Sequence, residues 1–201
     1  MIQKIYSLFF VLAVLTIFSS CSRKDSNLTI NSTVDESLSS IKWTGSAPTH
    51  SHEGAFKVSG SLQSNKNSKI TGGSFTIPIG SITNFDLTDE ALKEQLLEHL
   101  LSDEFFDLVK YPEAKLVIKK VEEYSDAISS ANTMIIADFT MLGQTHSINI
   151  PALVKGENGK FSAEGSFKIN RLNWGMNSFN DPNGTLYILP DVEITLDLYF
   201  K

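Results

Sequence analysis

DLTDEALKEQLLEHLLSDEFFDLVKYPEAKLVIKK, residues 86–120, contains both hydrophobic periods of the chain. In its first half Leu92, Leu96 and Leu100 recur every four residues, with Leu97 and Leu101 beside them. Glu90, Lys93, Glu94 and Glu98 fall mostly on the other side. That spacing is one apolar stripe on a helix, expected over about 89–101. Thr88 or Asp86 is placed to cap its N-terminus, and the acids of its first turn suit the helix dipole. Ser102 opens a short helical turn through Asp103 and Glu104. Pro112 ends any further helix, because it has no N–H and disfavours helix at Tyr111. Beyond it the period falls to two: Ala114, Leu116 and Ile118 alternate with Lys115, Val117 and Lys119. Between the two periods lie Phe105, Phe106, Leu108 and Val109, too apolar for an ordinary exposed loop. They require a core, a partner or a bound apolar molecule to cover them.

Outward from this stretch the period of two prevails. Ile41, Trp43 and Gly45 share a face, as do His52, Gly54, Phe56 and Val58, and then Phe75, Ile77 and Ile79. Pro78 places the end of that last strand at an edge or bend. Met134, Ile136 and Asp138 alternate with Ile135, Ala137, Phe139 and Met141. Gly143 and Gln144 connect tightly to His146, Ile148, Ile150, Ala152 and Val154. Phe161, Ala163, Gly165, Phe167 and Ile169 form another face, and Val192, Ile194, Leu196, Leu198 and Phe200 close the chain. Polar turns such as SLQSNKNSK (61–69) and NDPNG (180–184) separate these runs. The expectation is an all-β domain of about eight antiparallel strands in up-and-down spacing with one inserted helix. Closing such a sheet into a barrel removes its edges. An eight-stranded barrel is either filled by side chains or holds one small ligand. The inward faces mix Trp43, Phe56 and Phe167 with Gly54, Gly165 and Ala163, a pattern compatible with open space and with tight packing alike.

The chain has 201 residues and a net charge of −6. No basic stripe is present to meet phosphates, which argues against nucleic-acid binding, and nothing resembles a polybasic membrane-surface helix. Residues 1–21 read as an export segment. Lys4 precedes an apolar run from Ile5 to Phe18, the length of a signal core and short for a membrane span. Ser19 and Ser20 then precede Cys21, the one cysteine. An ordinary cleaved secretory signal with an incidental cysteine fits. So does a bacterial lipoprotein signal with Cys21 as the lipidated N-terminus, which is the expectation here. One cysteine excludes an internal disulfide, so the exported domain depends on its core. Residues 22–35, small and polar, read as a flexible tether, with the domain over 36–201.

From Val34 to Phe200 these pieces stand in the order of a known family. VDESLSSIKWTG (34–45), HSHEGAFKVSG (50–60), GGSFTIPIGSITNFD (72–86), HLLSDEFFDLVKYPEAKL (99–116), DFTMLGQTHSINIPALV (138–154) and FKINRLNWGM (167–176) together resemble the YceI-like proteins of the bacterial periplasm, also called polyisoprenoid-binding proteins. The resemblance implies a lipocalin-like barrel with an elongated apolar tunnel that holds a long isoprenoid chain, its polar head near a mouth. It implies no catalytic activity and no cofactor. Family members are often dimeric, although no homodimer face can be read from this sequence. The side chains expected to line such a tunnel are Trp43, His52, Phe56, Phe75, Ile77, Leu96, Leu100, Phe105, Phe106, Ile118, Met134, Ile136, Phe167, Arg171 and Trp174. Each is equally a candidate for plain core.

Other motifs carry less. His50 and His52 share a strand face, a spacing compatible with metal ligation, but no third ligand stands nearby and a structural or head-group role fits better. Arg171 is suited to bidentate phosphate contact; an ion pair with Asp86, Asp107 or another acid is the favoured reading. The sequence has no G-x-S-x-G, no HExxH and no Gly-rich phosphate loop, so no catalytic residue is assigned. The expected function is to bind, sequester or transport a long-chain isoprenoid or similar amphiphile in the bacterial envelope. The alternative is a non-enzymatic envelope stress or structural protein whose barrel core has collapsed.

Overall fold

The structure is a computed structural model that describes residues 28–125, 127, 129–157 and 160–201. The export segment with Cys21, and residues 22–27 of the tether, lie outside the described residues. Eleven strand segments and one helix follow in order: β1 (Ile30–Thr33), β2 (Ser40–Ser46), β3 (Ser51–Phe56), β4 (Ser59–Ser64), β5 (Ile70–Pro78), β6 (Thr83–Asn84), α1 (Glu90–Leu101), β7 (Glu113–Glu123), β8 (Thr133–Met141), β9 (Gln144–Glu157), β10 (Lys160–Asn170) and β11 (Asp191–Phe200). Short 3₁₀ turns occupy Ile79–Ser81 and Arg171–Trp174.

All pairings are antiparallel, in the order β1-β4-β5-β7-β8-β9-β10-β11-β2-β3-β6. β3 and β4 are two halves of one run, bent at Lys57 and Val58, so the strand pairings return on themselves and the sheet curls into a barrel. This explains why eleven segments appear where eight strands were expected. The bend splits one expected strand. β6 is a two-residue continuation of β5 beyond the turn at Ile79–Ser81. β1 arises from residues read as tether. Its Thr33 exchanges backbone hydrogen bonds with Lys201 (2.8 Å each), Val34 donates to the Gly60 carbonyl (3.0 Å), and Val34 is 5 % exposed. The folded part therefore begins before residue 36, because β1 fills the lane left open where β4 bends away from β2.

The barrel has two unlike ends. The far end carries the turn 64–70, the end of β7 with the start of β8, and the end of β9 with the start of β10, and is crossed by β1. The mouth end carries the 46–51 hairpin, the 79–112 insertion with α1, the turn at Leu142 and Gly143, and the segment 171–190. Both Leu142 (φ 51°) and Gly143 (φ 71°) are left-handed, the geometry of a two-residue hairpin whose twist matches its strands. Pro151 sits where β9 changes partner. Its first half pairs with β8, and its pairing with β10 runs over 153–157. A proline has no N–H to offer a second neighbour. The turn Arg171–Trp174 packs beside this seam, with Trp174 Nε1 donating to the Phe139 carbonyl (3.2 Å).

α1 spans the length expected, but its cap is Asp89, whose carboxylate accepts from the N–H groups of Ala91 (2.9 Å) and Leu92 (3.1 Å). Neither Thr88 nor Asp86 has that role; Asp86 is engaged by β3 instead. No residue of α1 is fully buried, and Leu92 is 53 % exposed. Only the C-terminal part of the stripe reaches the barrel. After it, hydrogen-bonded turns rather than a helix bring Phe105 and Phe106 down: Phe106 N–H donates to the Leu100 carbonyl and Asp107 N–H to that of Ser102. Phe105 is 5 % exposed and Phe106 meets Phe56 edge-on at 5.6 Å. Val109 has no cover at 98 % exposed.

Candidate functional site

The far half of the barrel is solid. Val34, Leu62, Phe75, Ile150, Phe161 and Phe200 are all buried, and the rings of Phe75 and Phe200 meet at 6.1 Å. The mouth half is hollow. It surrounds a cavity of about 210 Å³ whose wall is almost wholly carbon. An apolar cavity of roughly 150 Å³ stays dry and takes up small apolar molecules, so this one has room for part of an extended apolar chain.

Each lining element follows from its period. β2 contributes Ile41 and Trp43, β5 Ile77, β7 Ala114 and Leu116, β8 Phe139 and Met141, β10 Phe167 and Ile169, and β11 Val192, Ile194 and Leu196. Leu96, Leu100, Phe105 and Phe106 form the roof. Gly54 lets β3 and β6 approach: a Cβ there would lie 1.7 Å from the Thr83 carbonyl oxygen and 2.9 Å from the Trp43 ring.

Polar groups converge at the rim. His50 and His52 line the cavity with ring centroids 5.4 Å apart. His52 Nδ1 meets Asp86 Oδ2 at 2.8 Å. Burial pushes the Asp86 carboxyl up, but the Glu53 N–H, His52 and the Asn84 amide outweigh it and hold the pKa down at about 2. Arg171 also lines the cavity and is 2 % exposed. Its partners are backbone carbonyls: Ile188 (2.9 Å) and Leu189 (3.4 Å) accept from Nη2 and Nε, and Met176 accepts from Nη1. The expected ion pair with Asp86 or Asp107 does not form. The guanidinium instead ties the segment 176–189 to the end of β10, and burial lowers its pKa. A roughly planar cation with five N–H groups satisfies several carbonyls of an irregular segment at once. Among the described residues no group of three His, Cys, Asp or Glu is placed to hold a metal.

Of the expected lining residues, the structure places Trp43, His52, Phe56, Ile77, Leu96, Leu100, Phe105, Phe106, Phe167 and Arg171 on the cavity wall. Five lie elsewhere. Phe75 and Ile118 point inward but belong to the solid half. Trp174 is buried beside the seam, between Phe139 (5.5 Å) and His146 (5.1 Å). Met134 and Ile136 face outward, since Ile135, Ala137, Phe139 and Met141 are the buried set of β8. Both faces of β8 are apolar there, but Asp138 shares the face of Met134 and Ile136 and pairs with Lys119 at 3.5 Å, a signal legible in the sequence. Ile188, in an irregular segment, lines the cavity without any periodic signal.

A curled antiparallel barrel, hollow at one end and roofed by a helix, defines a lipocalin-like protein. The YceI-like domain model matches residues 33–200, and the chain belongs to that family. Among solved structures it is similar to BcnA of Burkholderia cenocepacia, at 20 % identity and a TM-score of 0.64 over 83 % of this chain and 98 % of that one. It is also similar to the YCEI protein of Campylobacter jejuni, at 21 % identity and a TM-score of 0.54 over 72 % of this chain and 81 % of that one. A mutant of that protein, described with a monobromobimane guest, matches at 20 % identity, a TM-score of 0.54 and the same coverage. No curated protein matches the chain.

Proposed function

We propose that this chain binds a long-chain isoprenoid or similar amphiphilic lipid in the hollow half of its barrel, and sequesters or carries it in the bacterial envelope while anchored through Cys21. The observation that carries this reading is the cavity itself: an open-mouthed chamber with a carbon wall, beside a half of the same barrel whose large buried side chains take no part in that wall. Each CH₂-sized group moved from water into such a wall contributes about 0.8 kcal/mol, so a long tail reaches useful affinity with few polar contacts. The cavity weighs against the alternative of a collapsed core.

The test is mass spectrometry of an organic extract from the mature domain purified without detergent, paired with titration of a fluorescent apolar probe. A discrete, near-stoichiometric lipid, or saturable one-to-one probe uptake, is the expected result. Well-folded protein that yields no lipid and takes up no probe overturns the reading. For the anchor, Cys21→Ser is expected to release a folded domain from membranes; persistent membrane association refutes the lipid-anchor assignment.

A further inference from the structure

We propose that the floor of the cavity, built on Phe75, is a length gauge: it admits about two isoprene units of the ligand's tail and stops them there. The inference rests on the proposed function and concerns how much of the chain is enclosed.

The wall ends at matching places on its strands. On β5 Ile77 lines the cavity and Phe75, two residues away on the same face, does not. Leu116 and Ile118 on β7, and Leu196 and Leu198 on β11, divide in the same way. Phe75, Ile118 and Leu198 are each buried. The Phe75 ring reaches across the interior from β5 to meet the Phe200 ring of β11 at 6.1 Å, although β2 and the bent β3–β4 run stand between those strands in the wall. A Cβ on Gly73 would lie 3.1 Å from the Phe75 ring and 3.2 Å from Ile118 Cδ1, so these two side chains converge.

Depth and volume give the same length. Val192, Ile194 and Leu196 line the cavity along β11. At about 3.3 Å per residue and a strand tilt of about 40°, they span about 10 Å of the barrel axis. An extended hydrocarbon advances about 1.25 Å per carbon, so about eight main-chain carbons, or two isoprene units, fit that depth. A dry apolar cavity of about 150 Å³ takes one benzene ring, which scales to about eight carbons in the 210 Å³ found here. Further units of a longer chain stay outside the mouth, in water, and add little affinity.

The experiment uses the delipidated mature domain and a series of allylic alcohols with one head and a growing tail. Prenol, geraniol, farnesol and geranylgeraniol each compete with an apolar fluorescent probe. A carbon taken from water into an apolar wall is worth about fourfold in Kd. Geraniol is expected to bind more than about thirtyfold tighter than prenol, whereas farnesol and geranylgeraniol fall within about threefold of geraniol. In Phe75→Ala the floor drops, and farnesol gains at least about tenfold over geraniol. Phe75→Leu, a milder cut, moves the same ratio in the same direction and is read if the alanine variant does not fold. Phe161→Ala removes an equal ring that lies against Gly156 near the far end, and keeps the wild-type ratios. Because each readout is a ratio within one variant, a general loss of affinity cancels. Affinity that climbs equally from prenol through geranylgeraniol overturns the gauge and leaves the cavity reading standing. Ratios unmoved in a folded Phe75 variant, or moved as far by Phe161→Ala, overturn the role given to Phe75. If neither the probe nor any alcohol binds, the proposed function falls and this inference with it.

Discussion

The two halves of the barrel are walled by the same strands with the same alternation, yet one is solid and the other hollow. In the far half, Phe75, Phe161 and Phe200 are buried together with Ala137, Ala152 and Ala163, the Phe75 and Phe200 rings meet at 6.1 Å, and β1 crosses the end, pairing with β4 and hydrogen-bonding Lys201 beyond β11. In the mouth half, Trp43, Phe56, Phe139 and Phe167 are just as bulky, but among the described residues no strand crosses the end. A helix and two irregular segments stand over it instead. Hollowness therefore comes from how the end is closed rather than from smaller side chains.

That contrast is open to attack by substitution. The largest effect is expected in the solid half: Phe200→Ala should cost about 3–5 kcal/mol in denaturant unfolding, because it opens a void in packed surroundings. Gly54→Ala comes next, at about 3 kcal/mol, since its Cβ meets the Thr83 carbonyl at 1.7 Å and must part β3 from β6; loss of ligand uptake should accompany it. Asp86→Ala should cost about 2 kcal/mol at neutral pH by stranding the Glu53 N–H and the Asn84 amide. Its sign with pH is fixed. The folded carboxyl titrates near 2, below its ordinary value, so its stabilisation is complete above roughly pH 4 and fades as pH falls towards 2. Unfolding free energies of wild type and variant, measured from neutral pH downwards, should converge there. Leu96→Ala borders space already empty and should cost about 1 kcal/mol while weakening uptake of an apolar probe. If Leu96→Ala destabilises as much as Phe200→Ala, the mouth half is packed after all. Val109→Ser should fall within about 0.5 kcal/mol of wild type in the same measurement, given its full exposure.

The roof and the wall were unequally legible. Leu96, Leu100, Phe105 and Phe106 stand out in sequence because an apolar helix stripe and two adjacent phenylalanines need cover, and the structure puts them over the cavity. Along the strands, alternation separates inside from outside but says nothing of height. Phe75 and Ile77 share a face two residues apart, yet one lies in the solid half and the other on the cavity wall. β8 shows the weakness of alternation where both faces are apolar: Asp138 marked its outer face, and Met134 and Ile136 share it. Arg171 was visible as a singular cation, but its carbonyl partners at Met176, Ile188 and Leu189 belong to a segment with no period.

By itself the sequence determined the all-β class, the single helix, the inward face of most strands and the family, because each depends on local period or on motifs read in order. Only the tertiary structure decided that residues 30–33 join the sheet, that one strand bends at Lys57 and Val58, that His52 is held by Asp86 across 34 residues, and that one half of the barrel stays open. These depend on where distant segments meet, and a void is a property of that meeting: its wall residues carry the same hydrophobic signal whether they touch a neighbour or empty space.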